Sequence, residues 1–386
     1  MSFKPSYARF LGGLGEKLHF CAHSHHPWPD CTRDAHIRAW DDAAAHADEK
    51  WGIVLNDVLP RARSAIASVL RLPNPEVVAF APNTHEFIVR LLSCLAAKPR
   101  ILTTDSEFHS FARQTARLEE DGAVVVRVPV EPFSTFTERF IQEAKNNTWD
   151  MAFHSQVFFN SGLRLTENEL GRVAAALGDT TIYVVDGYHA FMAVPVDFSK
   201  LSSRAFYLAG GYKYAQAGEG VCFMAVPSGC TLRPWNTGWF ADFAGLEKGI
   251  SKQVGYGDHG WRFWGSTFDP SGLYRWNAVT EWRRSLDLTV EKSDVHVRGL
   301  QRHFLKRLAE KSRGPFKTEA LVSTDLNRLG HFLTFRLPDA PVLSKKLAAD
   351  HGVLTDARGD RLRFGFGLYH DEADIDTLFS RLERFA

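Results

Sequence analysis

Residues 181–227 read TIYVVDGYHAFMAVPVDFSKLSSRAFYLAGGYKYAQAGEGVCFMAVP. Three short apolar runs, TIYVVD, RAFYLAG and VCFMAV, are separated by segments carrying glycine, proline and serine. Apolar runs of this length without polar alternation fit strands covered on both faces, the setting of a mostly parallel α/β sheet. Asp186 closes the first run, and Lys213 follows the second between Tyr212 and Tyr214. Open α/β sheets bind ligands beyond the carboxyl ends of their strands, which is where both residues fall.

Working outward, the same alternation runs upstream. VVAFAP is followed by the helical period of THEFIVRLLSCLAA, and RILTTD by SFARQTARLEEDG. AVVVRVPV precedes FSTFTERFIQEAKN, and MAFHSQV precedes ENELGRVAAALG. The expectation is an α/β fold with a mostly parallel seven-stranded sheet and helices on both faces. Nearer the start, Asp30 is placed to cap a helix running through Trp51, and a second helix spans about Pro60 to Leu70. Residues 231–270 are rich in tryptophan and glycine with little periodicity, so they read as long functional loops. Beyond them LYRWNAVTEWRRSLDLTVEKSDVHVRGLQRHFLKRLAEK reads as one long helical stretch. Strand-like HFLTFRL, helix-like VLSKKLAADHG and strand-like LRFGFGL then suggest a smaller α+β unit. The expected division is an N-terminal segment 1–50 that packs with the C-terminal part, a large domain 51–270 and a small domain 271–386.

Bulk properties set limits on function. With 386 residues, 45% hydrophobic, there is material for a sizeable core. Forty-six basic against forty-five acidic residues leave a net charge of +1, which implies no charge-driven affinity for nucleic acid or acidic membranes. Five scattered cysteines make no disulfide framework, and glycines and Glu16 interrupt any apolar leader near the start. No window approaches the roughly 18 apolar residues of a membrane helix. The expected location is the cytoplasm.

A lone aspartate at a strand end usually caps a turn, and a lone lysine among aromatics usually reaches for the surface. As a pair, Asp186 and Lys213 suit pyridoxal 5′-phosphate. Such chemistry needs an amine to bind the aldehyde and a carboxylate to keep the pyridine nitrogen protonated. Asp186-x-x-His189, then Tyr212-Lys213-Tyr214 and a glycine-rich turn, resembles kynureninase and its relatives among the fold-type-I, class V pyridoxal phosphate enzymes. Other blocks resemble that family in the same order: HFCAHSHHPWP, APNTHEFIVRLLSCL, SEFHSF, FHSQVFFNSG, GWF and GVLTDARGDRLRFGFGLYHDEADI. The likeness spans residues 20 to 375.

The resemblance implies roles for particular residues. Lys213 would be the Schiff-base lysine and Asp186 the partner of the pyridine nitrogen. His189 would lie beside the cofactor ring, and Tyr212 would bond its phosphate. Asn83 and Thr84 open an apolar helix, whose N-terminus favours an anion, although an ordinary cap has the same signature. Ser155 aligns with a family serine near the cofactor. In the SEFHSF turn, Phe108 aligns with the kynureninase stacker, while desulfurases place a histidine at this turn and leave His109 open. Trp239, with Ser266 or Thr267, would reach the phosphate of a neighbouring subunit, which implies a homodimer. Arg363 would clamp the substrate carboxylate, with Arg358 as a second candidate. Phe111 and Asp269 depart from the family pattern at positions that are usually polar and usually asparagine.

The histidine loop admits two readings. His23, His25 and His26, flanked by Cys21 and Cys31, could suggest zinc and a metal hydrolase. No downstream ligand set matches, and the family loop lines the substrate pocket, so His23 and Ser24 are expected to touch substrate and no metal site is expected. The resemblance implies hydrolytic Cβ–Cγ cleavage of a kynurenine-type amino acid to alanine and an aromatic acid. The alternatives are a class V aminotransferase or another pyridoxal phosphate lyase on a different amino acid. A cysteine desulfurase would need a nucleophilic cysteine in a late loop, and none follows Cys230.

Overall fold

The seven apolar runs are all strands. In the computed structural model, which describes residues 2–248, 253–312 and 314–383, they form one sheet. In chain order they are β1 (Val78–Ala81), β2 (Arg100–Thr104), β3 (Val124–Val128), β4 (Met151–Ser155), β5 (Ile182–Asp186), β6 (Ala205–Gly210) and β7 (Cys222–Ala225). Their spatial order is β1-β7-β6-β5-β4-β2-β3. Only β7 runs antiparallel to its neighbours. The other pairings are parallel. Every residue of β1, β4, β6 and β7 is buried, which is why these strands read as unbroken apolar runs. The edge strand β3 is the exception and leaves Val124 42% exposed.

Helices fall close to where the 3.6-residue period placed them, except that the first ends at His46, where Ala47 takes a left-handed φ of 47°, rather than at Trp51. After the opening helices α1 (Cys31–His46) and α2 (Leu59–Leu70), they are α3 (Thr84–Leu92), α4 (His109–Glu120), α5 (Phe133–Asn146) and α6 (Glu167–Ala176). Asp30 stands at the N-terminus of α1 but does not cap it. Its carboxylate accepts instead from the backbone N–H of Arg9, tying the first residues to the helix entry. Phe111, an apparent departure from the family pattern, stacks on Phe153 of β4 at 3.7 Å and belongs to the core.

The stretch expected as one long helix is two, α7 (Ser271–Ser285) and α8 (Val290–Glu310). Asp287 takes a left-handed φ of 49°, and Thr289 restarts the helix by accepting the N–H of Lys292. Leu286 and Leu288 keep the hydrophobic pattern running across the break, so periodicity alone does not reveal it. Asp269 explains itself here: both carboxylate oxygens cap Ser271 at the start of α7.

The C-terminal part adds a three-stranded antiparallel sheet. Its strands are β8 (Phe332–Arg336), β9 (Asp356–Arg358) and β10 (Arg361–Gly365), in the order β9-β10-β8. Helices α9 (Ala340–His351) and α10 (Glu372–Leu382) accompany it. The first residues contact this region. Leu18–His19 pair in parallel with Val353–Leu354, and Lys4 bonds Asp374 at 2.8 Å. Among the described residues of 231–270 the helical pieces are short 3-10 turns, held by rings such as Trp239 on Phe240 at 4.1 Å. Among the described residues, no helix is long and apolar enough to cross a membrane.

Candidate active site

The parallel strands deliver their carboxyl ends to one edge. Ser155 ends β4 and stands in register with Asp186, which ends β5. Lys213 follows β6 in a turn, and Glu107 follows β2. Gly210 lets these ends approach closely, because a Cβ there would lie 2.3 Å from both the Cys222 sulfur and the Tyr188 hydroxyl.

Lys213 is only 5% exposed. Its Nζ lies 2.9 Å from Nε2 of His189, and it faces the rings of Tyr188 at 4.8 Å, Phe108 at 5.4 Å and Tyr212 at 5.7 Å. Burial penalises the ammonium and brings its pKa down to about 7, although Asp186 pulls the other way. The Asp186 carboxyl is itself pushed upward by burial, partly offset by the Tyr188 N–H at 2.9 Å and by Lys213. His189 is held neutral, first by burial and then by Lys213, and its Nε2 lies 3.1 Å from the His23 carbonyl.

Glu107, which the sequence reading passed over, is the most heavily bonded acid here. It is 4% exposed and accepts from the Ser155 hydroxyl at 2.6 Å, the Ser155 N–H at 3.1 Å and the Thr104 hydroxyl at 2.6 Å. Burial outweighs those bonds and raises its pKa to about 7. Its position straight after a buried strand, in the turn already singled out for its aromatic, was the available signal. Phe159 was missed as well. Its ring meets Phe108 at 6.0 Å and His109 at 5.4 Å, and its carbonyl accepts from Arg363. Of the two residues left open in that turn, Phe108 is the one whose ring reaches Lys213.

At the start of α3, Asn83 is an ordinary cap, accepting the Glu86 N–H at 3.0 Å. Thr84 is the first helical residue, and its backbone N–H points to the buried Cys222 sulfur. Tyr212 is half-buried, packed between the rings of Tyr188 at 4.9 Å and His25 at 5.2 Å. Trp239, Ser266 and Thr267 come together on a segment where the Phe240 N–H bonds the Gly265 carbonyl at 3.1 Å. That segment packs on α3, since a Cβ at Gly265 would lie 2.5 Å from the Arg90 guanidinium. Among the described residues, no hydrogen bond or ring contact joins Trp239, Ser266 or Thr267 to Lys213.

Arg363 is 3% exposed, paired with Asp356 through Nη2 and with Phe159 through Nη1. Arg358 is a surface residue on the other oxygen of Asp356. His23 is fully buried and stacked on Phe332 at 4.7 Å, whereas His25 is exposed and His26 is buried against Tyr369. Ser24 is half-buried, its hydroxyl 3.5 Å from the His25 ring. The histidine loop is therefore splayed across three environments. Among the described residues, no group of three His, Cys, Asp or Glu side chains could hold a metal ion.

The residues fit pyridoxal phosphate. A buried amine near neutrality stands beside a buried carboxylate, an aromatic ring reaches the amine, and a helix N-terminus lies at the same strand ends. Lys213 would hold the aldehyde carbon, Asp186 the pyridine nitrogen, Phe108 a ring face and Thr84 the phosphate.

Comparison with known proteins agrees with this geometry. The model of the aminotransferase class-V family matches residues 40–338. Cysteine desulfurases of Yersinia pestis (strain Pestoides F) and Yersinia pseudotuberculosis (serotype IB, strain PB1/+) are each 24% identical over 83% of this chain and 81% of theirs. Among solved structures, the cystine C–S lyase C-DES with its product cysteine persulfide superposes with a TM-score of 0.81. It is 17% identical, covering 97% of this chain and 99% of that one. A C-DES mutant with glycine covalently linked to its pyridoxal phosphate gives 0.83, at 16% identity over the whole of both chains. The apo cysteine desulfurase of Thermococcus onnurineus NA1 gives 0.80, at 15% identity over 100% of this chain and 98% of that one. These relatives are desulfurases and C–S lyases, so the class-level resemblance holds while the kynureninase likeness finds no support among them. The chain belongs to the class V aminotransferase family, pyridoxal phosphate enzymes of fold type I.

Proposed function

We propose that this protein is a pyridoxal phosphate-dependent lyase that cleaves the Cβ–S bond of a sulfur-containing amino acid and releases the sulfur product to solvent. The observation that carries the reading is the state of the thiols around a lyase-type site. Cys21, close to Arg363 and Asp356, is held up to about 12 by burial, and Cys222, close to Lys213, up to about 11. A nucleophilic cysteine needs the opposite shift. No cysteine follows Cys230, so a protein-bound persulfide has no ready acceptor in the C-terminal third. The relatives among desulfurases and C–S lyases support cleavage at sulfur over the kynurenine-type cleavage that the motif order suggests.

Bound pyridoxal phosphate supplies an electron sink that stabilises a carbanion at Cα. The chain's own residues do the rest. Lys213, neutral above about pH 7, accepts the Cα proton, and His189 at 2.9 Å keeps its amine in place. Asp186 would keep the pyridine nitrogen protonated, and Arg363, whose guanidinium lies over the rings of Phe159 and Phe332, would hold the α-carboxylate. Glu107 fixes Ser155 at the adjoining strand end.

Incubating the holoenzyme with cystine, cysteine or kynurenine and analysing products tests the proposal. Pyruvate and ammonia with free persulfide or sulfide support it. Alanine with a protein persulfide would make it a desulfurase, and alanine with an aryl acid a kynureninase-type hydrolase. We further propose a homodimer. Trp235 (76% exposed), Val254 (55%), Trp239 (41%) and Phe243 (40%) put apolar surface on the segment whose Ser266 and Thr267 would reach the neighbouring site.

A further inference from the structure

Asp356 and Arg363 face each other directly across β9 and β10. One carboxylate oxygen of Asp356 accepts from Nη2 of Arg363 and the other from Nη1 of Arg358. The two arginines differ in kind. The Arg363 side chain is 3% exposed inside the site and that of Arg358 is 41% exposed at its rim. Arg363 gives its Nη1 to the Phe159 carbonyl and lies over the rings of Phe159 and Phe332, at 5.8 and 6.0 Å. Its third nitrogen, Nε, is buried without a partner.

A second buried group without partners adjoins this pair. Both ring nitrogens of His23 lack hydrogen bonds, and Nε2 lies 3.9 Å from the Asp356 oxygen that Arg363 holds. The ring cannot retreat easily. It stacks on Phe332 on one side, and a Cβ at Gly365 would lie 2.2 Å from its Nδ1.

A guanidinium already paired with a carboxylate gains little from a second, because the two anions repel across one cation. Arg363 can hold an amino-acid carboxylate at full strength only if Asp356 lets go. We infer that Asp356 is a resident competitor for the substrate carboxylate: it releases Arg363 as substrate enters and rests on Arg358 and the Nε2 of His23. Asp356 thereby sets the affinity of the site and selects against substrates that carry a second negative charge at that end. The inference rests on reading Arg363 as the carboxylate clamp.

The test is calorimetric titration of the holoenzyme with propionate, a monocarboxylate without an amine, which reads the clamp apart from catalysis. Asp356→Asn should bind propionate about tenfold more tightly or better, since a competent state populated at roughly 10% or less weakens affinity by that factor. Arg358→Ala, which removes the alternative resting place, should weaken binding severalfold and supplies the answer if Asp356→Asn does not fold. Arg363→Ala should abolish binding. Unchanged or weaker binding by Asp356→Asn, with Arg363→Ala inactive in binding, would overturn the competitor role and leave Asp356 a fixed partner of the arginine. Unchanged binding by Arg358→Ala would likewise overturn it. Full-strength binding by Arg363→Ala would overturn the clamp reading itself.

Discussion

The Nζ of Lys213 and the Nε2 of His189 lie 2.9 Å apart, and both side chains are buried. Both groups are held toward their neutral forms by burial, so the amine is a nucleophile at a pH where surface lysines are ammonium ions.

Cofactor uptake should therefore follow the Lys213 amine. Mixing cofactor-free protein with pyridoxal phosphate at a series of pH values should give a rate of appearance of the visible band that rises with pH to a midpoint near 7. A midpoint in the ordinary lysine range above 9 would show that burial does not lower this amine.

Asp186→Asn keeps the size of the side chain and an oxygen for the Tyr188 N–H but removes the charge that would hold the pyridine nitrogen protonated. Activity should fall on the order of 100-fold or more, as expected for loss of a preorganised electrostatic partner. The melting temperature of the cofactor-free protein should hold steady or rise, because burial already disfavours the carboxylate. Equal losses of activity and of fold would contradict this division of roles.

Glu107→Gln separates a structural acid from a catalytic one. The folded pKa is raised from 4.5 to about 7, so the native state keeps a proton that the unfolded state gives up. Stability from this group is fully present below about pH 4.5 and is lost as pH rises through 7. An amide does not titrate. The melting temperature of Glu107→Gln relative to the parent should therefore increase from pH 6 to pH 8. A constant difference would mean that Glu107 is ionised throughout.

The buried imidazoles push stability the other way. His19, His154 and His331 are lowered to about 4 and His26 to about 3, in each case chiefly by burial. Between the unfolded value of 6.5 and those folded values, the unfolded chain binds more protons. Each such histidine then destabilises the fold by about 1.4 kcal/mol per pH unit of acidification across its window. Thermal melts should show a fall in melting temperature beginning near pH 6.5 and steepening toward 4, despite the opposing contribution of Glu107. A melting temperature flat over this range would rule out neutral buried histidines.

The core strands were readable because burial on both faces writes itself as an unbroken apolar run. That Asp186 and Lys213 fall at the same strand ends was readable because strand ends and turn residues fix where each falls. The break at Asp287 was not, since one left-handed residue between two leucines leaves the helical period intact. Nor was the sorting of the histidine loop: His23, His25 and His26 are alike in sequence, and only their packing against Phe332, Tyr212 and Tyr369 separates them. Glu107 and Asp356 escaped for a related reason. Their partners, Ser155 and Arg363, come from other strands, and such pairings carry no local signature.

The central claim is that Lys213 holds pyridoxal phosphate covalently. Borohydride reduction of the holoenzyme, followed by proteolysis and peptide mass spectrometry, tests it most directly. A single pyridoxyl-phosphate adduct on the peptide that contains Lys213, absent from Lys213→Ala, is the predicted result. An adduct on another lysine, or a protein that takes up no cofactor, would contradict the account.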